Sequence, residues 1–342
     1  MPILINAYCT QREVPGLDFR HRAASHRSHE AQNLQTHLEK FAGFCCDQGR
    51  REMTPTLHGV LSHLDRVWHH FSFEIEQDDF PHVVPWCWAS NAILYFPDGT
   101  VRDPNGEILI DPQTGEPNEA AELPFPVDAR KRKAQTETTL RNRLIDVPET
   151  LPPIAGEVEV AMRASDDVAW RALALFVVAV RSESLIHDRA ISVDSLRSKS
   201  PLAFQALSPL EAAFLDLDHP EKDHADEFAW RYESLYVLQW ALGMHDRLAF
   251  PDEVTDVPGV AQRMLQSQSA EFVSGARLRS TGEVLDATDM NHRMLWAARN
   301  AHAQNSPPPA SINGYVLSER QHAFNWLIGF QKAPWDAVDT PT

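Results

Sequence analysis

Trp170-Arg-Ala-Leu-Ala-Leu-Phe-Val-Val-Ala-Val180 is the stretch on which the fold turns, because ten of its eleven residues are apolar. A helix that is apolar on most sides is buried on most sides, so this segment predicts the inner helix of a helical domain. The sequence downstream agrees. Ser208-Pro-Leu-Glu211 places an N-cap Ser, a Pro at the first helical position and a capping-box Glu in succession. Ser280-Thr-Gly-Glu283 repeats that logic ahead of a helix expected over 282–304. The segment 225–242 carries Phe228, Trp230, Tyr232, Tyr236 and Trp240 and reads as one aromatic-rich helix. A last helix is expected over 314–330. Six of the nine tryptophans follow residue 165, which suits a dense helical core.

Upstream the character differs. Pro2 to Tyr8 is short and β-rich and predicts a buried strand. A polar stretch from Arg20 to Arg27 leads into a helix expected over Ser28–Phe44, with Leu34, Leu38 and Phe41 at helical spacing. A second helix is expected from Thr54-Pro55, its apolar face running through Leu57, Val60, Leu61, Leu64, Val67 and Trp68. Phe71 to Ile75 alternates like a strand. Ala92–Phe96, Thr100–Arg102 and Glu107–Ile110 are β-prone runs separated by Pro97-Asp-Gly99 and Asp103-Pro-Asn-Gly106, with Asp111-Pro-Gln-Thr-Gly115 following. Those breaks carry turn chemistry and predict a short antiparallel meander. A further helix starts near Pro124–Pro126 and contains Arg130-Lys-Arg-Lys133. Leu151-Pro-Pro153 reads as a boundary, so a mixed N-terminal region over 1–154 and a helical domain over 155–342 are expected. The fold class is α+β, predominantly α-helical.

Charge narrows the function. The 342 residues hold 31 Lys plus Arg against 48 Asp plus Glu, a net of −17. That excludes nucleic-acid binding through a global basic surface and argues against an anionic membrane as partner. No apolar run approaches the ~20 residues of a membrane span, and no charged-then-apolar leader is present. Four cysteines, with Cys45 and Cys46 adjacent, do not make a disulfide framework in a chain this long. A cytoplasmic protein is expected. The acids cluster: residues 71–122 hold eleven against one base, Arg102, and residues 211–227 hold seven against one, Lys222. In the second cluster Asp216, Asp218, Glu221, Asp223, Asp226 and Glu227 are candidate contacts for a basic partner. Asp226 and Glu227 are expected near a helix N-terminus, where the macrodipole favours them.

Signatures of catalysis are scarce. No Walker loop, Gly-x-Gly-x-x-Gly or Gly-x-Ser-x-Gly occurs, and no cofactor is expected. His58, His63, His69 and His70 fall on one predicted helix, but the spacing is not that of a zinc site and no metal is expected. Cys87 reads as a core residue, and Asp103-Pro-Asn-Gly106 as a turn in place of a calcium loop. The remaining candidates are charged groups on apolar helical faces. Asp289 and His292 share a face with Leu285 and Trp296; Arg293 follows Asp286 by seven; Glu319 and Arg320 precede His322, Asn325 and Trp326; Glu233 lies among aromatics. Such groups are costly unless paired. They either pair within the helical core or line a pocket in which Glu233, Asp289, His292, Arg293 and Glu319 would do acid–base work.

Several stretches together resemble a bacterial family, domain of unknown function 4272. They are Phe228-Ala-Trp-Arg-Tyr-Glu-Ser-Leu-Tyr-Val-Leu-Gln-Trp-Ala-Leu-Gly243, Leu278-Arg-Ser-x-x-Glu-Val-Leu-Asp286, Trp296-Ala-Ala-Arg299, Glu319-Arg-Gln-His-Ala-Phe-Asn-Trp326 and Trp335-Asp-x-Val-Asp339. Asn6-Ala-Tyr-Cys-Thr10 and Trp88-Ala-Ser-Asn-Ala-Ile93 are also similar. The resemblance supplies no catalytic residues. By analogy, families of this kind accompany secreted toxins, including type VI secretion effectors. The resulting expectation is a non-catalytic immunity protein that meets a basic toxin, a nuclease for instance, through its acids. An enzyme built on the helical pocket and an adaptor with several weak partners are the alternatives.

Overall fold

The computed structural model of the chain describes residues 1–217, 220–266 and 268–342. The architecture is α+β and predominantly helical. Two compact units form, one of residues 1–133 and 149–160, the other of residues 134–148 and 161–342.

The first unit is built on an antiparallel sheet. Among the described residues its strands are β1 (Pro2–Cys9), β2 (Arg22–Ser28), β3 (His69–Glu76), β4 (Ala92–Tyr95), β5 (Val101–Arg102) and β6 (Ile108–Ile110), in the spatial order β2-β3-β1-β4-β5-β6. The expected strand at the start of the chain is thus the sheet's interior, paired with β3 on one side and β4 on the other. β4, β5 and β6 are the expected meander, closed by turns. In one of these Gly106 N donates to Asp103 O, while Asp103 Oδ1 accepts from the amides of Asn105 and Glu107.

Alternation along the strands produces two apolar faces. Ile5, Ala7 and Cys9 of β1 join Phe71, Phe73 and Ile75 of β3, and Phe19, Val83, Trp86 and Cys87 pack over them. The opposite residues Tyr8, Ile93, Val101 and Ile110 are covered by helices α1 (Gln32–Cys45) and α2 (Pro55–Leu64). α2 starts where Thr54 caps it, its side chain accepting from Leu57 N with Pro55 following.

Two expectations here are corrected, and one helix has no counterpart in the sequence pattern. α2 stops at Leu64, so His69 and His70 lie on β3, where the period-two pattern of Phe71, Phe73 and Ile75 has taken over. The polar stretch before α1 is the edge strand β2, which has little apolar alternation because it is almost wholly exposed. Helix α3 (Phe80–Ala89), with Pro81 in its first turn and Pro85 inside it, was not anticipated. Cys87 does lie in the core, fully buried on α3.

α4 (Val127–Arg141) begins where the sequence indicated. The second unit surrounds α5 (Ser165–Ile186), which contains the quoted apolar stretch and buries residues on every side. It continues with α6 (Val193–Lys199), α7 (Pro209–Leu215), α8 (Lys222–Ala229), α9 (Arg231–Ala241), α10 (Val257–Met264), α11 (Ser269–Ser274), α12 (Thr281–Ala303) and α13 (Gly314–Leu327). Both expected capping boxes are formed: Ser208 with Glu211, and Ser280 with Glu283. α8 and α9 pack on α5, and α13 packs on α9 and α12. The single aromatic helix expected over 225–242 is two helices, since Glu233 N turns back to Trp230 O in a tight i→i+3 bond. α13 ends at Leu327, short of the expected 330, because Gly329 takes a left-handed φ of 69°.

Candidate functional site

Glu233, Asp289, Arg293 and Glu319 of the helical faces meet opposite charges on their own or a neighbouring helix. Glu233 on α9 accepts from Arg320 Nε on α13 at 2.9 Å, and both side chains are 3% exposed. Its other oxygen accepts from Thr255 N at 2.5 Å, and Arg320 Nη1 donates to Ala249 O at 2.8 Å. Arg293 on α12 lies between Asp289 at 3.1 Å, one helical turn earlier, and Glu137 at 3.4 Å. Glu319 holds Arg231 at 2.7 Å and also accepts from Ser234 Oγ. His292 is half-buried on α12.

Of the five residues proposed as a pocket, Glu233, Asp289, Arg293 and Glu319 therefore enter four ion pairs. The structure brings Asp289 and Arg293 together; Glu233 and Glu319 each pair elsewhere. In the helical unit, three charged residues in these or similar pairs carried no expectation from sequence: Glu137, Arg171 and Arg231. Arg171 on α5 donates to Glu211, the same carboxylate that closes the capping box of α7. In the sheet unit, Arg66 pairs with Glu159 at 2.9 Å, and Asn91 and Gly156 N also donate to that carboxylate. The signal for such partners was a charge within an apolar pattern, but spacing alone names no cross-helix partner.

The acidic candidates behave differently. Asp216, Glu221, Asp223, Asp226 and Glu227 are all exposed, and none has an ion-pair partner among the described residues. Asp218 lies outside the described residues. Glu221 is the N-cap of α8 and Asp223 sits in its first turn, where the helix dipole favours negative charge. Asp226 and Glu227 fall further along α8 than expected, because the helix begins at Lys222. The cluster over 71–122 is largely engaged locally. Asp98, Asp103 and Asp111 accept backbone amides in turns, and Glu76 and Glu122 form ion pairs.

Of the histidines expected on one helix, His58 and His63 lie on α2, while His70 on β3 sits in a polar cluster with His37, Arg27 and Asn6. His70 accepts at Nδ1 from Arg27 and donates from Nε2 to Asn6 Oδ1, so it is neutral. Burial, with His37 and Arg27 alongside, pushes its pKa down to about 3. His63 hydrogen-bonds Tyr8 O at 3.0 Å and is likewise pushed down to about 3, by burial and then by Arg66. Among the described residues no three His, Cys, Asp or Glu are grouped to hold a metal ion. No helix among them is long and apolar enough to cross a membrane.

Fold and site thus define a two-unit α+β protein in which Glu159, Glu211, Glu233 and Asp289 are buried against arginines, while Asp216, Glu221, Asp223, Asp226 and Glu227 are exposed. The chain belongs to the family described as a domain of unknown function (DUF4272), whose model matches residues 132–338. No curated protein and no solved structure matches it.

Proposed function

We propose that the chain is a non-catalytic, cytoplasmic immunity protein that neutralises a basic toxin, a nuclease of the kind delivered by type VI secretion. The contrast between buried and exposed carboxylates carries this reading. Glu159, Glu211, Glu233 and Asp289 are buried and each pairs with an arginine. Asp216, Glu221, Asp223, Asp226 and Glu227 stand in water, and none forms an ion pair among the described residues. A nuclease must present a basic surface to hold phosphates, so an exposed acidic run is complementary to it. Such complementarity raises the association rate more than it slows dissociation.

The test has two stages. The full chain, tagged, is used to capture partners from lysate of the organism that carries it, and the complex is washed at low and then high salt. A single stoichiometric basic partner is expected. Asp216→Lys, Asp223→Lys and Asp226→Lys together should then slow association with it about tenfold or more at low salt, and less at high salt. An unchanged rate and salt dependence would show that the acidic run is not the contact.

A further inference from the structure

A cleft of about 450 Å3, open to solvent, is lined in the helical unit by Arg163, Asp167, Trp170, Arg171, Trp326 and Trp335, among others. None of the residues considered above as catalytic or partner-binding lines it. The Arg163 guanidinium lies 5.0 Å from the centroid of Trp326, and that of Arg171 5.1 Å from Trp335. The two indoles meet nearly perpendicular, with centroids 5.4 Å apart.

The hydrogen bonding of this cleft is incomplete. Arg163 is fixed by Nε to Trp326 O and by Nη2 to Ala333 O, which leaves Nη1 without an acceptor among the described residues. Arg171 gives Nη2 to Glu211, while its Nε has no acceptor among the described residues. Trp335 Nε1 has none either. Arg171 and Trp335 are 6% and 5% exposed, so these are donors in side chains more than nine-tenths buried. Buried donors are nearly always paired, and an exception beside a cleft points to an acceptor brought by a ligand.

The lining also selects the ligand's charge. Aromatic faces attract cations, but here arginines already occupy the faces of Trp326 and Trp335, so a cationic ligand would meet like charge. An oxyanion would meet guanidinium edges and an indole N–H. A planar ring suits the remaining aromatic wall, including Trp170. Asp167 is exposed at the same cleft and would accept from a donor on that ring.

We infer that this cleft binds a small planar oxyanion, an aromatic or heteroaromatic ring bearing a phosphate or a carboxylate and a hydrogen-bond donor. This inference does not depend on the immunity reading, because it rests on different residues and a different ligand.

The test uses the full chain, calorimetric titration and tryptophan fluorescence, with 5′-AMP and anthranilate as the two probes. One probe at least should bind one-to-one below about 1 mM and change the fluorescence. AMP alone would assign the phosphate source, and anthranilate alone the carboxylate. Inorganic phosphate and adenosine should each bind about tenfold more weakly than AMP if AMP is the ligand. Arg163→Gln should weaken binding about tenfold, and Trp335→Phe, which keeps the ring and loses only the N–H, should weaken it several-fold. Arg171→Gln would leave the buried Glu211 without its arginine and so would also perturb the fold. Absence of binding by both probes at that concentration overturns the inference. So does phosphate that binds as well as AMP, or affinity unchanged in both variants.

Discussion

Glu233 and Arg320 form one half of a crossed pair of salt bridges between α9 and α13. Two residues before Glu233 on α9 stands Arg231, and one residue before Arg320 on α13 stands Glu319, joined at 2.7 Å. Each helix therefore offers one charge of each sign, and sliding α13 along α9 would bring like charges together. The buried Glu233–Arg320 bridge is expected to act mainly through this specificity of packing. Glu233→Ala should destabilise the chain by about 3–5 kcal/mol in denaturant unfolding, because Arg320 stays buried without its partner. Glu233→Leu combined with Arg320→Met should recover most of that loss. A double variant as unstable as the single would mean that the pair itself supplies the stability.

Acid should weaken the sheet unit earlier than its carboxylates alone would. His63 and His70 have folded pKa values of about 3, against 6.5 in an unfolded chain. Both are neutral when folded, so below pH 6.5 the unfolded chain binds protons that the folded chain refuses. Their contribution is intact above pH 6.5 and falls progressively toward pH 3. Each imidazole adds a slope of up to about 1.4 kcal/mol per pH unit in that window. Urea unfolding at pH 7, 6 and 5 should show a shallower dependence in His70→Gln than in the parent. Identical slopes would show that His70 is protonated in the folded protein.

The thiols should divide sharply in reactivity. Burial pushes Cys9 and Cys45 up to about 12 and raises Cys87 as well. Cys46 is half-buried. A thiolate-seeking reagent at pH 8 should label one cysteine per native chain quickly, and all four only after unfolding. Cys46→Ser should abolish the fast phase. A second fast site would show that the sheet unit opens readily.

Two glycines separate backbone strain from steric clash. Gly243 has a φ of 77° with nothing near its missing Cβ, while Gly329 has a φ of 69° and Ala161 O would lie 2.6 Å from a Cβ. Gly243→Ala should cost about 1–2 kcal/mol from the left-handed backbone alone. Gly329→Ala should cost clearly more in the same thermal unfolding measurement, since a backbone carbonyl must also move. Equal losses would mean that the segment after α13 yields freely.

Helices with local punctuation were legible in the sequence, and elements defined by distant partners were not. Ser208 and Glu211 mark the start of α7 because both halves of the capping box lie within four residues. β2 is not marked in the sequence because an edge strand need not alternate: all but its last two residues are exposed. α3 was hidden by Pro85, which reads as a breaker when nothing reveals that Val83, Trp86 and Cys87 face a sheet. The same holds for the site. Glu233, Asp289, Arg293 and Glu319 were identifiable as charges on apolar faces, but their pairing depends on how helices cross, which residue spacing does not carry. The cleft lined by Trp326 and Trp335 leaves no mark in the residue spacing for the same reason.

The position of β1 sets the tempo at which the sheet unit is made. Its register pairs Cys9 with His69 and Pro2 with Glu76, and then Cys9 with Ala92 on its other flank. During synthesis β1 emerges with no strand to pair with until β3 and β4 have followed it. Closing loops of that length before any ladder forms makes folding slow relative to a local hairpin. In that interval the apolar side of β1, with Ile5, Ala7 and Cys9, lies open, and a chaperone that shelters nascent chains would find its clearest target there.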